Sequence, residues 1–225
     1  MRFIVAGRDT FDVDLACAVV AGFTGRDREA AEEHLLELTN EGVPVPDEIP
    51  SFYVVPARLV TQESIVTVTH DRTSGEAEAV LVLRGRETFV ALGSDHTDRL
   101  AETRDIALSK LACPKVVSGR VWPLEDVEDH WDALHLRSWI EQDGERVLYQ
   151  DGALASLLSP SELLATIPWQ EPPRHPFAVF AGTVPAQGGI RSARRFVAEL
   201  RDNERNDVLT IDYEIEVLDV LRGQT

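Results

Sequence analysis

Two glutamates at alternate positions introduce a strongly apolar stretch of this sequence. Glu76 and Glu78 come just before the run 79–83, which reads Ala-Val-Leu-Val-Leu. Side chains two residues apart leave a strand on the same face, so the two carboxylates are predicted to project together. Asp95 follows the next apolar segment, residues 88–92, and is expected in a neighbouring turn. Three carboxylates make an oxygen-rich site for a hard divalent ion such as Mg²⁺, Mn²⁺ or Ca²⁺.

Each of these carboxylates also has an ordinary structural interpretation. Solvent-facing glutamates are common at alternate strand positions, and Asp95 could simply cap the helix predicted at 98–108. Two features favour the metal site. Neighbouring like charges repel unless a cation offsets them, and a strand that is apolar on both faces is typical of a buried strand. His96 is expected behind the site or at the surface, because the ligands favoured here are oxygens.

An imidazole and a carboxylate form a second candidate pair, on the helix predicted at 28–39. His34 and Glu37 are three residues apart, which places them on one helix face within reach of each other. Such a pair can move a proton to or from water. The simpler alternative is that both are surface residues of a helix rich in glutamate.

Lysine is scarce in this chain, since Lys110 and Lys115 are the only lysines among 22 basic residues. That scarcity favours a specific role for each. Beside an oxyanion, the Lys110 ammonium could hold a substrate carboxylate. Further along, Gly182 and Thr183 open a glycine-containing turn that would offer backbone N–H groups and a hydroxyl to an anionic ligand. The turn lacks the lysine and the length of a phosphate-binding loop, which excludes nucleotide binding.

Composition narrows the class of protein. The chain has 225 residues, 44% of them hydrophobic, which is enough for one sizeable core. Its formal net charge of −17 argues against nucleic acid or an anionic membrane as a partner. No run approaches the ~18 apolar residues of a membrane span, and the N-terminus does not resemble a signal peptide. Cys17 and Cys113 are isolated, so we expect reduced thiols and a cytoplasmic protein.

Hydrophobic periodicity and turn residues predict a β-rich α+β fold. Residues 1–50 are expected to form a small N-terminal portion with strands and a helix, and residues 51–225 a β-rich core, together in one compact unit. The acidic segment 122–139 could hold a second metal, but a loop and an exposed helix explain it better. Helices are predicted at 28–39, 98–108 and 160–166, and strands at 2–5, 13–21, 51–55, 65–70, 76–83, 87–92, 116–122, 146–150, 177–181, 195–200 and 208–220.

The order of these features resembles the fumarylacetoacetate hydrolase superfamily over roughly residues 22–200, closest to a short branch of it. In chain order the resemblance is carried by Gly25-Arg26-Asp27 before the helix of His34 and Glu37, then Glu76-Ala77-Glu78, Asp95-His96-Thr97-Asp98-Arg99, Lys110 and Gly182-Thr183-Val184-Pro185. The chain departs from the family pattern in having only sixteen residues between Glu78 and Asp95. It also has Thr97 where the family has serine, and one extra residue between Thr183 and the proline.

The resemblance implies a metal-dependent enzyme on a β-roll core, usually a homodimer, that acts on small keto acids. By that analogy Glu76, Glu78 and Asp95 bind Mg²⁺ or Mn²⁺. A lid helix would carry His34 and Glu37 as the catalytic pair that activates water, with Lys110 as a further catalytic residue. Substrate oxygens would be bound by Arg99, Gly182 and Thr183.

Three functions follow from the resemblance. The first is hydrolysis of a carbon–carbon bond in a β-diketo or acylpyruvate-type acid. The second is a lyase reaction on the same metal site, namely keto-acid decarboxylation or hydration and dehydration. The third is a non-catalytic protein that keeps the fold and binds a metabolite.

Overall fold

The computed structural model describes residues 1–6, 9–29, 31, 35–36, 39, 45–171 and 174–218. Its α-helices include Arg99–Glu102, Ile106–Leu111 and Pro160–Thr166. Its strands are β1 (Arg2–Val5), β2 (Thr10–Asp12), β3 (Cys17–Gly22), β4 (Ser51–Pro56), β5 (Val60–Thr61), β6 (Ile65–Val68), β7 (Thr73–Ser74), β8 (Ala77–Arg84), β9 (Glu87–Asp95), β10 (Thr97–Asp98), β11 (Lys115–Val117), β12 (Arg120–Pro123), β13 (His135–Gln142), β14 (Glu145–Ala153), β15 (Phe177–Thr183), β16 (Arg195–Asp202) and β17 (Asp207–Val217).

A ten-stranded mixed sheet forms the centre of the molecule. Its main path runs β2-β1-β12-β9-β8-β15-β3-β4, and β11 joins β5 to the end of β9. The N-terminal strands β1 and β3 pair in parallel with β12 and β15, so they belong to the same sheet as the later strands. A five-stranded sheet, β14-β13-β16-β17-β6, packs beside it.

The two faces of the ten-stranded sheet enclose different cores. Residues such as Val80 and Val82 point to an inner face, whose buried cluster is built almost wholly from strands of this one sheet. The sheet therefore curls upon itself. Ala79 and Leu81 point to the outer face, where the core is shared with residues of the five-stranded sheet, such as Phe196. This strand-rich α+β architecture agrees with the predicted fold class.

The hairpin of β8 and β9 runs through the middle of this sheet. A two-residue turn containing Gly85, which has φ 64°, joins the strands, and Arg84 pairs with Glu87. The same register continues without a break to Ala77 and its partner Ser94. The far end of the hairpin is thus fixed by its turn and by the apolar residues on both faces.

Several predicted elements were wrong in detail, including the strand expected at 116–122, which is the two strands β11 and β12. The strand expected at 13–21 is β3 alone, with β2 lying before the predicted start. The helix expected at 98–108 is two short helices, because the Asp105 carboxylate accepts a hydrogen bond from the Leu108 N–H and begins a second helix there. The segment 122–139 contains the start of β13 rather than only a loop and a helix.

The predicted helix at 160–166 is confirmed, with Ser159 as its N-cap and Glu162 completing a capping box. Within the predicted helix 28–39, the described residues are helical: they are Arg28, Glu29, Ala31, Leu35, Leu36 and Thr39. Within the described ranges, every helix is too short or too polar to span a bilayer.

Candidate metal and substrate site

Three carboxylates meet at the open end of the β8–β9 hairpin. The backbone N–H of Asp95 donates to the carbonyl of Glu76 at 3.0 Å, one step beyond the last pair of the two strands. Residues directly opposite in an antiparallel pair share a face. Glu78 shares that face as well, since it lies two residues from Glu76. Asp95 is the last residue of β9, whereas a turn was predicted for it.

Glu78 is a buried carboxylate, with 3% of its surface exposed. Its Oε2 accepts a hydrogen bond from the Gly182 N–H at 2.8 Å. Burial raises the pKa of Glu78 well above its usual value, and the nearby charge of Asp95 raises it further. Gly182 has φ 91°, and a Cβ there would lie 1.9 Å from the Thr24 hydroxyl oxygen. Only glycine can present its N–H in this way.

Asp95 lies between the two lysines of the chain. Its Oδ2 accepts a hydrogen bond from Lys110 Nζ at 2.5 Å, and its Oδ1 is 3.0 Å from Lys115 Nζ. The second contact is an ion pair without the alignment of a hydrogen bond. Burial alone would raise the pKa of Asp95, but the charges of Lys110 and Lys115 outweigh it and hold that pKa below its usual value. Asp95 is therefore ionised at neutral pH.

Glu76 lies at the more accessible side of the group. Its Oε2 is 2.9 Å from Nη2 of Arg99 and 4.0 Å from Lys110 Nζ. Arg99 also donates to Ser74 Oγ and to Glu102 Oε2, each at 2.7 Å. Burial would lower the pKa of Arg99, but the charges of Glu76 and Glu102 raise it above its usual value. The structure therefore brings together six side chains, which we call the charged cluster: Glu76, Glu78, Asp95, Arg99, Lys110 and Lys115.

Sequence reasoning noted Lys115 only for its rarity and did not place it in the site. The side chain is fully buried. Its ammonium donates to the carbonyl oxygens of His96 at 2.6 Å and Cys113 at 3.2 Å in addition to its contact with Asp95. The strand β11 places it there by pairing Lys115 directly with Asp95. The scarcity of lysine was the only signal in the sequence that pointed to it.

The donor types of this cluster suit a hard divalent cation, since three carboxylates share one face and Asp95 Oδ1 accepts no aligned hydrogen bond. The described residues contain no preassembled group of three or more His, Cys, Asp or Glu side chains that could hold a metal. The Lys110 ammonium lies among these carboxylates, since it contacts Asp95 and approaches Glu76. The donor atoms thus fit a hard divalent cation in type, while Asp95 is paired with Lys110 in this structure.

The Thr183 hydroxyl forms hydrogen bonds with other groups of the protein. Its hydroxyl donates to the Ala77 carbonyl at 2.7 Å and accepts from Gln150 Nε2 at 2.6 Å. The fully buried Gln150 also accepts from the Ala77 N–H and donates to the Val184 carbonyl. Thr183 and Gly182 thus both lie beside β8, but only the Gly182 N–H points at the charged cluster.

His96 is buried on the outer side of the hairpin. Its Nδ1 is 2.9 Å from the Tyr213 hydroxyl and its Nε2 is 2.9 Å from Thr73 Oγ1, so both ring nitrogens have partners away from the carboxylates. Burial lowers the pKa of His96 to about 3, helped by the charges of Lys115 and Arg99. The ring is neutral at physiological pH and serves the fold.

His34 and Glu37 lie outside the described residues, so the predicted catalytic pair remains a prediction. A cavity of about 620 Å³ is lined by Arg84, Arg86 and Glu87 at the turn of the β8–β9 hairpin. It lies at the opposite end of the hairpin from the charged cluster, so it is not part of the candidate site.

Sequence and structure comparisons place the chain among known proteins. The family model described as "Protein of unknown function (DUF2848)" matches residues 21–213. No curated protein matches the sequence. Among solved structures, Cg1458 has a TM-score of 0.65 at 14% identity, covering 91% of this chain and 77% of that one.

Two further structures share the fold. One is a 2-keto-3-deoxy-D-arabinonate dehydratase complexed with magnesium and 2,5-dioxopentanoate, with a TM-score of 0.65 at 12% identity, covering 91% of this chain and 74% of that one. The other is described as a fumarylacetoacetate hydrolase family protein from Yersinia pestis CO92, with a TM-score of 0.61 at 16% identity, covering 91% of this chain and 95% of that one. The chain belongs to the DUF2848 family, and it has the fold of fumarylacetoacetate hydrolase family proteins.

Proposed function

We propose that this protein is a metal-dependent enzyme that acts on a small 2-keto acid. The observation that carries the proposal is the meeting of Glu76, Glu78 and Asp95 on one face of the β8–β9 hairpin, beside the two buried lysines and Arg99. Perturbed ionisable groups that converge in one buried place are typical of functional sites. A structure of the same fold holds magnesium and 2,5-dioxopentanoate, which supports both the cofactor and the substrate class.

Glu76, Glu78 and Asp95 would hold Mg²⁺ or Mn²⁺, and Ca²⁺ would suit the same oxygen donors. When bound, the divalent ion would act as a Lewis acid that polarises the keto oxygen of the substrate. Glu78 is already desolvated and hydrogen-bonded to Gly182. The positive charge of a bound divalent ion would therefore favour the ionised form of the Glu78 carboxylate.

The basic side chains would bind and orient the acid. Lys110 lies in the last turn of the helix Ile106–Leu111 and projects into the cluster with 8% of its surface exposed. In this poorly hydrated place its ammonium would attract a substrate carboxylate and stabilise negative charge that develops during bond cleavage. Arg99 lies at the more accessible side and would hold Glu76 in position through its 2.9 Å contact.

Hydrolysis and lyase chemistry differ in what they need beyond this cluster. Hydrolysis of a carbon–carbon bond requires a group that activates water, which is the role predicted for His34 and Glu37. A lyase reaction needs stabilisation of negative charge next to the keto group. Decarboxylation also needs a proton donor for the enolate that remains, and dehydration needs a proton acceptor for the carbon acid and a proton for the departing hydroxide. The dehydratase of the same fold favours the lyase as the alternative to the hydrolase. The family resemblance further suggests a homodimer, and the two isolated cysteines suggest a cytoplasmic protein.

The decisive experiment is a turnover panel with and without Mg²⁺. Acylpyruvates, oxaloacetate and 2-keto-3-deoxy sugar acids would be incubated with the wild-type protein and Glu78→Gln, and products separated by chromatography. We expect turnover of at least one class, dependent on Mg²⁺ and lost in the variant. Glu37→Gln should abolish hydrolysis but spare decarboxylation. Mg²⁺ binding without turnover of any acid would instead indicate a non-catalytic metabolite-binding protein.

A further inference from the structure

The Lys110 ammonium lies among oxygen atoms that a metal would also use. It is 2.5 Å from Asp95 Oδ2, 3.2 Å from Thr97 Oγ1 and 4.0 Å from Glu76 Oε2. Its charge also acts on Glu78, whose pKa it lowers against the dominant effect of burial. One internal cation therefore interacts with all three carboxylates of the proposed metal site.

Both oxygens of Asp95 are occupied by ammonium groups. Lys110 contacts Oδ2, and Lys115 contacts Oδ1. Magnesium binds carboxylate oxygens at about 2.0–2.1 Å. An ion at that distance from Asp95 would lie within a few ångström of at least one ammonium, where repulsion between the charges is strong. Metal binding therefore requires that one of the two lysines move.

The surroundings of the two lysines show which one can move. Lys115 is fully buried and donates to two backbone carbonyls, so it is held by the fold itself. Lys110 is the more exposed of the two and has weaker contacts besides Asp95, namely the Thr97 hydroxyl and the distant Glu76. Its flexible four-carbon stem allows the ammonium to swing without a change in the helix.

We propose that Lys110 is an exchangeable internal cation: its ammonium neutralises the carboxylates in the metal-free protein, and a divalent metal displaces it from Asp95. This inference rests on the proposed function, because it concerns the same metal site. It explains why the described carboxylates stay together without a metal, although like charges in a buried place repel. The displaced ammonium is then free to bind an anionic substrate, so metal binding prepares the site for the acid.

The test is the affinity of the metal-free protein for Mn²⁺ alone, measured by isothermal titration calorimetry. The full chain and the variants Lys110→Met, Lys110→Gln and Lys110→Arg would be compared after chelator treatment. Removing the competing charge should strengthen Mn²⁺ binding by about tenfold or more in the Met and Gln variants. Lys110→Arg keeps the charge and should bind Mn²⁺ no more tightly than the wild-type protein.

Thermal unfolding of the same proteins gives a second, independent measurement. Without metal, Lys110→Met should unfold at a lower temperature than the wild-type protein, since Asp95 loses one of its two partners. Saturating Mn²⁺ should then raise its unfolding temperature by more than it raises that of the wild-type protein. The Gln variant gives the same comparison if the Met variant does not fold.

The outcomes separate the inference from the proposed function. If the wild-type protein binds Mn²⁺ and neither neutral variant binds it more tightly, the exchange is wrong and the metal site stands. If only the neutral variants bind Mn²⁺, the metal does not displace Lys110 in the wild-type protein, and both the exchange and the metal dependence of the wild-type protein are wrong. If none of the proteins binds Mn²⁺ at millimolar concentration, both proposals are overturned.

Discussion

The two faces of the β8–β9 hairpin carry polar groups of opposite character at the same end. The inner face presents the charged cluster, in which carboxylates contact ammonium and guanidinium groups. The outer face presents what we call the neutral network. Its members are uncharged side chains that hydrogen-bond to one another or to the backbone: Thr73, Ser94, His96, Ser138, Gln150, Thr183 and Tyr213.

This difference in charge distinguishes two roles. The polar groups of the neutral network stabilise the fold, whereas those of the charged cluster are available for a ligand. In the neutral network, Gln150 bonds to side chains and backbone of β8, β13 and β15, so each bond joins strands of the fold. In the charged cluster the same carboxylate can accept a hydrogen bond from a lysine or coordinate a metal, because both partners are cations. Changes on the outer face should therefore alter stability, and changes on the inner face should alter metal binding.

The largest effect is expected for Glu78→Gln on the inner face. The amide keeps an acceptor for the Gly182 N–H but removes a charged ligand, so Mn²⁺ affinity should fall by about 1,000-fold or more, roughly 4 kcal/mol. The metal-free variant should be at least as stable as the wild-type protein, since burial penalises the ionised form of Glu78. Calorimetry and thermal unfolding measure the two quantities. Glu102→Gln is the matched control, because Glu102 pairs with Arg99 and is not one of the three proposed metal ligands. An equal loss of Mn²⁺ affinity in Glu102→Gln would contradict a specific role of the charged cluster in metal binding.

The next largest effect is expected for Gln150→Leu on the outer face. The change leaves the Ala77 N–H and the Val184 carbonyl without their buried partner. We expect the free energy of unfolding to fall by about 3 kcal/mol, as measured by urea denaturation, with Mn²⁺ affinity unchanged in whatever fraction folds. Gln142→Leu removes an amide that accepts a hydrogen bond from the Arg191 side chain, and it should cost less than about 1 kcal/mol. A Gln150 variant as stable as the wild-type protein would contradict the structural role.

A pH titration of stability sharpens the comparison further. His96 has a pKa of about 3 in the folded protein, lowered by burial from an ordinary value of 6.5. Between these values the unfolded chain binds a proton that the folded protein does not, so stability should fall as the pH decreases below 6.5. The contribution is about 1.4 kcal/mol per pH unit, or roughly 2 kcal/mol between pH 6.5 and 5.

The measurement is the free energy of unfolding as a function of pH, for the wild-type protein and for His96→Gln. Subtracting the two curves removes the contribution of the many exposed carboxylates. The stability of the wild-type protein should depend more steeply on pH in this window. Parallel curves would mean that the His96 ring takes up its proton equally in both states.

The smallest effect is expected for Thr183→Val at the border between the two groups. The hydroxyl bonds to the Ala77 carbonyl and to Gln150, so its loss should lower the free energy of unfolding by about 1 kcal/mol without a change in Mn²⁺ affinity. Thr183→Ser keeps the hydroxyl and should restore stability. A normally stable Val variant with a tenfold higher KM would instead place this hydroxyl on the substrate.

Local patterns predicted much of the sheet. The runs of Val, Leu and Ile located most strands because a buried strand needs apolar residues on both faces. The strand β13 was missed although its signal was present: Leu136, Ser138 and Ile140 alternate as buried residues, and Asp143-Gly144 is a strong hairpin turn before β14. The polar Ser138 at a buried position and the apolar Trp139 between two buried positions concealed the alternation.

Some features of the candidate site are likewise local to the sequence, and others depend on the tertiary structure. The spacing of Glu76 and Glu78, and the two-residue turn that sets Asp95 opposite Glu76, are local properties of one hairpin. The contacts of Lys110 and Lys115 are not, since they depend on how a short helix and the strand β11 return to the end of β9. No spacing along the chain shows which cation a carboxylate will meet.

The sequence by itself determined most of the strands, the acidic pair and its face, because strand geometry has a period of two and a short turn fixes the register. Only the tertiary structure decided which polar groups became charged partners and which became neutral ones. The Thr183 hydroxyl, predicted to bind substrate, hydrogen-bonds to Ala77 and Gln150 in the structure. Lys115 forms an ion pair with Asp95. The physical reason is burial: a polar group removed from water must take whichever partner the packed strands bring within reach.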